Sequence, residues 1–168
     1  MNNSAFTKIP YGMFIITSAS DGKIGGQTAN TVFQITSMPP SIAISISKQN
    51  YTHLLLTQSK KAVISSLTED APFEFIGKFG FRSSKNFDKF AGIDFIKNSH
   101  GIPVIKTHTN AYFETEIISS LDADTHTLFL CRVTDAVVLN NNPTMTYDYY
   151  HNVKKGLTPK NAPTYIEK

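Results

Sequence analysis

The sequence predicts a mainly β protein, an antiparallel barrel with a few short helices. Three observations predict it. Short apolar or alternating runs recur along the 168 residues, separated by turn-forming Gly, Pro, Asn and Asp. Two long runs, residues 111–121 and 127–139, are joined by the turn Asp122-Ala123-Asp124 and read as an antiparallel pair. Helical patterns are few and short, which leaves little material for crossover helices and favours antiparallel order.

The elements follow in chain order. Residues 11–17 (Tyr-Gly-Met-Phe-Ile-Ile-Thr) read as a buried first strand. Asp21-Gly22 signals a tight turn, so residues 17–31 form a hairpin whose second strand covers residues 26–34. Pro39-Pro40 forces a turn. Residues 41–47 (Ser-Ile-Ala-Ile-Ser-Ile-Ser) then alternate with period two, which defines a strand with two unlike faces. Residues 51–59 read as a short helix, and residues 62–67 as a fourth strand. Pro72 suits a first helical residue, so residues 72–81 form a helix and residues 87–90 a second helical piece. Residues 102–106 are a further strand before the long pair. Asn140-Asn141-Asn142-Pro143 ends the barrel. Beyond it, residues 154–163 carry two prolines and are extended, while Tyr147, Tyr149 and Tyr150 mark a surface that lies on something. The expected division is a barrel domain over residues 1–145 and a C-terminal extension, residues 146–168, packing on the barrel or on a partner subunit.

Length and composition suit one domain with a real core. A net charge of +3 with no like-charge block gives no argument for a nucleic-acid or membrane partner. The single Cys131 rules out an internal disulfide and points to a cytoplasmic protein. Residues 1–8 lack an apolar signal core, and no apolar run approaches bilayer length.

Two stretches carry chemistry. In residues 25–53, Ile42, Ile44 and Ile46 point one way into a core, and Ala43, Ser45 and Ser47 point the other. That small hydroxylated wall is either a half-exposed strand facing water or a surface that a flat polar ligand approaches closely. Residues 79–90 place Arg82, Ser83, Ser84 and Lys89 at a turn. A phosphate dianion needs such a guanidinium fork, hydroxyls and an ammonium; a capped helix flanked by solvated cations is the alternative. Neither the dinucleotide-binding Gly-x-Gly-x-x-Gly nor a P-loop is present.

Gly26-Gln27-Thr28-Ala29-Asn30-Thr31, then Gln34, Ser37 and Pro39-Pro40, then Ile44-Ser45-Ile46 and Asn50-Tyr51-Thr52, resemble the flavin-binding core of the flavin reductase family. The similarity runs from Tyr11 to about Ile166 and is nearest to flavoredoxins and the flavin reductase half of high-molecular-weight rubredoxins. It implies an FMN-binding split β-barrel, antiparallel and of Greek-key type. It implies bound FMN and NADH or NADPH as hydride donor. Thr28, Ala29, Asn30 and Thr31 would lie beside the flavin ring and ribityl chain, with Ser45 and Ser47 on the same side. Asn50 and Thr52 would reach the ribityl or phosphate end, and Arg82, Ser83, Ser84 and Lys89 the phosphate. Ser84 stands where the family commonly has glycine. Donors near flavin N1 and its C2 carbonyl would ease hydride acceptance.

Asp124-Thr125-His126-Thr127 is similar to the family's Asp-His-Thr, with Thr125 inserted, and it makes His126 the candidate catalytic residue near flavin and nicotinamide. No histidine has a ligand partner at metal-site spacing, so no metal is expected. Cys131, in an apolar run, reads as an inert core thiol. The tail Lys-Lys-Gly-Leu-Thr-Pro-Lys-Asn-Ala-Pro-Thr-Tyr resembles the run that leads to a rubredoxin module in high-molecular-weight rubredoxins, yet the CxxC pairs of such a module are absent. The activity implied is an NAD(P)H:flavin oxidoreductase, a homodimer with flavin near the interface, passing electrons to free flavin, a ferric complex or a redox protein such as a rubredoxin. The alternative is a flavoredoxin-like electron carrier that holds FMN but reacts slowly with nicotinamide.

Overall fold

The computed structural model describes residues 1–166. After a 3-10 turn at Asn3–Lys8, the strands are β1 Phe14–Ser20, β2 Lys23–Ala29, β3 Val32–Ser37, β4 Pro40–Ser47, β5 Lys61–Leu67, β6 Phe95–Lys97, β7 Pro103–Ile105, β8 Thr109–Ala123 and β9 His126–Val138. The helices are α1 Tyr51–Ser59, α2 Phe73–Gly80 and α3 Tyr147–Asn152. Seven strands form one antiparallel sheet in the order β2-β1-β5-β8-β9-β4-β3, and β6 with β7 form a separate pair.

The two outermost strands of that order, β2 and β3, are consecutive in sequence with only Asn30 and Thr31 between them. Three peptide steps span at most roughly 11 Å, so the sheet must curl until its edges nearly meet. This makes it a barrel, as the sequence predicts. Strands β5, β8 and β9 are sequential neighbours in the sheet, and β4 lies beside β9, so the chain returns across two strands through α1 in a Greek key. Asp21 and Gly22 both take positive φ, 51° and 73°, which matches the twist of the β1–β2 hairpin.

Strand β1 is covered on both faces, which explains its unbroken apolar run. Ile16 enters the barrel interior with Ile42, Ile44, Ile46, Ile64, Phe129 and Cys131. Ile15 faces outward into a second cluster with Met13, Ile76, Phe79, Phe90 and Tyr150, built by α2 and α3. Burial pushes the Cys131 thiol up to about 12, so it is an inert core group.

Several expected elements differ. The strand expected over residues 26–34 breaks at Asn30 and Thr31 into β2 and β3, because the chain must turn from one barrel edge to the other. Residues 87–90 are not helical. The Asp88 carboxylate accepts from the Phe90 and Ala91 amides (2.9 and 3.2 Å), and this local side-chain competitor replaces a helical turn. The Tyr-rich stretch before the extended residues 154–163, for which the sequence predicts no element, is a helix: Thr146 accepts from the Tyr149 amide at 3.0 Å and caps α3. The extension packs on the barrel of its own chain, with Met145 and Tyr147 amides bonded to Leu67 and Tyr11 carbonyls.

Candidate functional site

Between the barrel, α2 and the C-terminal tail lies a cleft of about 350 Å3. Its floor is the end of β2, residues 27–29, with Asn30 just beyond it, beside Ser45 and Ser47 of β4. The alternation in β4 sends its isoleucines inward and these serines to the cleft. One end is formed by Asn50 and Thr52 at the start of α1. Asn50 occupies the N-cap position but makes no cap hydrogen bond with its side chain. Its amide instead donates to Gln27 Oε1 at 3.0 Å, and its carbonyl oxygen accepts from Asn161. The other side holds the last turn of α2 and the loop after it, with Phe79, Phe81, Arg82, Ser83 and Lys89. Thr28 Oγ1 donates to the Ile76 carbonyl at 3.0 Å and pins this wall to β2.

Lys89 is the one charged side chain that is buried among the described residues, at 3% exposure. Its ammonium donates to the Gly26 and Phe79 carbonyls at 2.8 and 2.7 Å, leaving the third N–H free of a protein acceptor. Desolvation lowers its pKa from 10.5 to about 8. Arg82 stands at the exposed rim with its guanidinium 5.6 Å from the centre of the Phe87 ring. Among the described residues, no carboxylate lines the cleft. Two cations, beside a wall of amides and hydroxyls, suit a ligand with an anionic end and a polar body.

Ten of the thirteen sequence-selected residues meet here: Thr28, Ala29, Asn30, Ser45, Ser47, Asn50, Thr52, Arg82, Ser83 and Lys89. Thr31, Ser84 and His126 do not line the cleft. Thr31 hydroxyl bonds back to Asn30 Oδ1 at 3.2 Å, and its carbonyl accepts from the Ser45 amide. Ser84 Oγ accepts from the Gly26 amide at 3.3 Å and ties the Arg82 loop to β2. His126 pairs with Ser47 across the β4–β9 ladder, so its side chain shares that face one strand away. Its Nδ1 is 2.9 Å from Thr125 Oγ1, and its Nε2 is buried without a partner. Sequence reasoning missed Gln27, Gln49, Phe79, Phe81 and the tail residues Thr158, Asn161 and Thr164. The three-tyrosine stretch was the available signal for the tail.

The barrel and its cleft define a class of protein with a polar, cationic pocket at the edge of a split sheet. The chain belongs to the flavin reductase family: residues 6–158 match the flavin reductase like domain. It is 48% identical over 165 residues to a high molecular weight rubredoxin of Moorella thermoacetica, covering 98% of this chain and 72% of that protein. It is 44% identical over 167 residues to a ferric-chelate reductase (NAD(P)H) of Archaeoglobus fulgidus, covering 99% of both. Its fold matches that of the Streptomyces globisporus NADH:FAD oxidoreductase with a TM-score of 0.76 at 23% identity, over 84% of this chain and 83% of that one.

Proposed function

We propose that the cleft holds FMN non-covalently and that the protein is an NAD(P)H-dependent flavin reductase, passing electrons onward to an acceptor. The observation that carries the FMN assignment is the Lys89–Arg82 pair of cations, with no carboxylate among the described lining residues, at one side of a cleft walled by Thr28, Asn30, Ser45, Ser47 and Asn50. Arg82, Ser83 and Lys89 would receive the phosphate. Thr28, Ala29, Asn30, Ser45, Ser47, Asn50 and Thr52 would hold the ring and ribityl chain, with Thr31 and Ser84 fixing β2 and the loop from behind. When bound, the flavin supplies the chemistry, taking a hydride from NADH or NADPH. The protein's part is to orient both nucleotides, exclude water and place charge. His126, one strand from Ser47 on the same face, is the candidate group for the nicotinamide or for the proton that accompanies reduction, its buried Nε2 having to turn outward to meet either.

The acceptor is a ferric complex or a redox protein such as a rubredoxin, a reading supported by the 44% relative's name, a ferric-chelate reductase, and the 48% relative's, a high molecular weight rubredoxin. We place the activity in the cytoplasm. The assembly is a homodimer. Residues opposite one another in a ladder share a face, so Phe33, Ala43, Leu130, Leu128 and Leu121 form one outer surface with Ser45, Ser47 and His126. Phe33 and Leu121 are 49% and 65% exposed there, and a second copy on this face would abut the flavin.

The experiment is an absorbance spectrum of FMN-reconstituted, desalted protein before and after anaerobic NADH or NADPH. A retained flavin band that bleaches promptly is expected. A band that bleaches only with dithionite or a reduced partner makes the protein an electron carrier, and protein that binds neither FMN nor FAD at micromolar concentration overturns the reading.

A further inference from the structure

The tail crosses the cleft as a strap. Leaving α3, the chain turns at Gly156 and runs through Pro159 to Thr164 along the cleft mouth. The start of the strap is clamped by α3. The buried Tyr150 hydroxyl donates to the Leu157 carbonyl (3.1 Å) and accepts from the Leu157 amide (3.2 Å). His151 Nδ1–H donates to the Gly156 carbonyl at 2.9 Å. Gly156 is required by a close approach: a Cβ there would stand 2.2 Å from the Tyr150 ring.

The far end of the strap is caught on the opposite wall. Asn30 Nδ2 donates to Thr164 Oγ1 at 2.9 Å, and Asn161 donates to Asn50 Oδ1. The Tyr147 hydroxyl bridges Thr158 and Thr164 at 2.6 and 2.8 Å. These bonds join positions more than 100 residues apart in sequence, Asn30 to Thr164 and Asn50 to Asn161. Both catches sit on side chains that the flavin reading places at the cofactor. Pro159 and Pro163 restrict the free strap, so closing it costs less chain entropy. The flavin reductase like domain ends at residue 158, whereas the similarity to the two close relatives runs over 98% and 99% of the chain. The catches therefore lie outside the shared domain.

We infer that residues 157–164 are a latch that keeps the flavin resident between turnovers, with Asn161 and Thr164 as its catches. This rests on the reading that the cleft binds flavin. With the flavin retained, one NAD(P)H delivers a hydride. Two ferric centres of the acceptor then take one electron each, giving two ferrous centres, NAD(P)+ and one released proton. No reduced flavin leaves the protein.

The test follows FMN release from the loaded full-length protein by recovery of free-flavin fluorescence, with ferric reduction assayed with and without added FMN. Asn161→Ala with Thr164→Val should raise the release rate about 10- to 100-fold, the loss of two or more hydrogen bonds, and make ferric reduction depend on added FMN. Thr164→Ser should restore slow release because it keeps the hydroxyl. Gly156→Val changes none of the side chains assigned to the flavin but forces the Tyr150 clamp aside, and should release FMN as fast as the double variant. Unchanged release in both Gly156→Val and the double variant overturns the latch while leaving the flavin site standing. Failure of the unaltered chain to bind FMN overturns both.

Discussion

Lys89 combines a cost with a use. Its ammonium is buried against two carbonyls, and its pKa falls to about 8 through desolvation. The unfolded chain holds that proton up to about pH 10.5, so between pH 8 and 10.5 the unfolded state binds more protons than the folded one. Stability of the flavin-free protein should therefore rise across this window, by on the order of 3 kcal/mol in total. FMN affinity should fall over the same window, because deprotonation removes the buried cation from the cleft. Denaturant melts and FMN titrations at pH 7 and 9.5 check both. Lys89→Met should lose the pH-linked gain in stability and bind FMN roughly 10- to 100-fold more weakly at pH 7. His126 calls for a different readout, since it lies one strand outside the cleft lining. His126→Ala should lower kcat for NAD(P)H oxidation at least tenfold with little change in FMN affinity. Equal kcat in variant and parent assigns the histidine to the turn alone.

Helix α1 depends on a strand that has no side chain where the helix passes. A Cβ at Gly25 would stand 2.6 Å from Leu55 Cδ1 and 3.4 Å from Tyr51, and Leu55 is fully packed at 1% exposure. Gly25→Val should cost roughly 1–3 kcal/mol and lower Tm by about 2–12 °C, measured by calorimetry. That glycine pair was visible in the sequence, and so was most of the barrel. Period-two alternation placed β4 and its cleft-facing Ser45 and Ser47, and Asp21-Gly22 placed the first hairpin. What escaped were elements set by distant contacts. Asn30 and Thr31 look like strand interior until the barrel has to close. Phe87 and Phe90 have helical spacing, but the Asp88 carboxylate holds the backbone in a turn. A helix as short as α3 has little stability of its own and exists because Tyr150 is buried against Met13 and Phe79. The strap was legible only as a proline-bearing tail, since its partners lie near residues 30 and 50.

At the scale of the molecule, one barrel has two edges to manage and two faces to cover. Edge strand β2 is covered within the chain: Ser84 and Lys89 take up the Gly26 amide and carbonyl from the outside. The outer face of β3, β4, β9 and β8 is covered only in part among the described residues, with Ala43 and Ser47 buried. Phe33 and Leu121 stand in water there, in register with Leu128 and Leu130 and next to Ser47 and His126. A surface of that kind beside a cofactor cleft is best satisfied by a second copy, which would also shield the flavin from water. Light scattering should then give twice the 18.6 kDa chain mass at micromolar concentration. Phe33→Glu with Leu121→Lys places opposing charges on an exposed face without touching the barrel core, so the variant should fold. It should scatter as a single chain and lose NAD(P)H oxidation more than FMN binding, because the charged face disrupts the region around His126 while the latch and Lys89 belong to one chain. A parent protein that scatters as a monomer removes the second copy from the site and leaves the strap as the sole cover of the flavin.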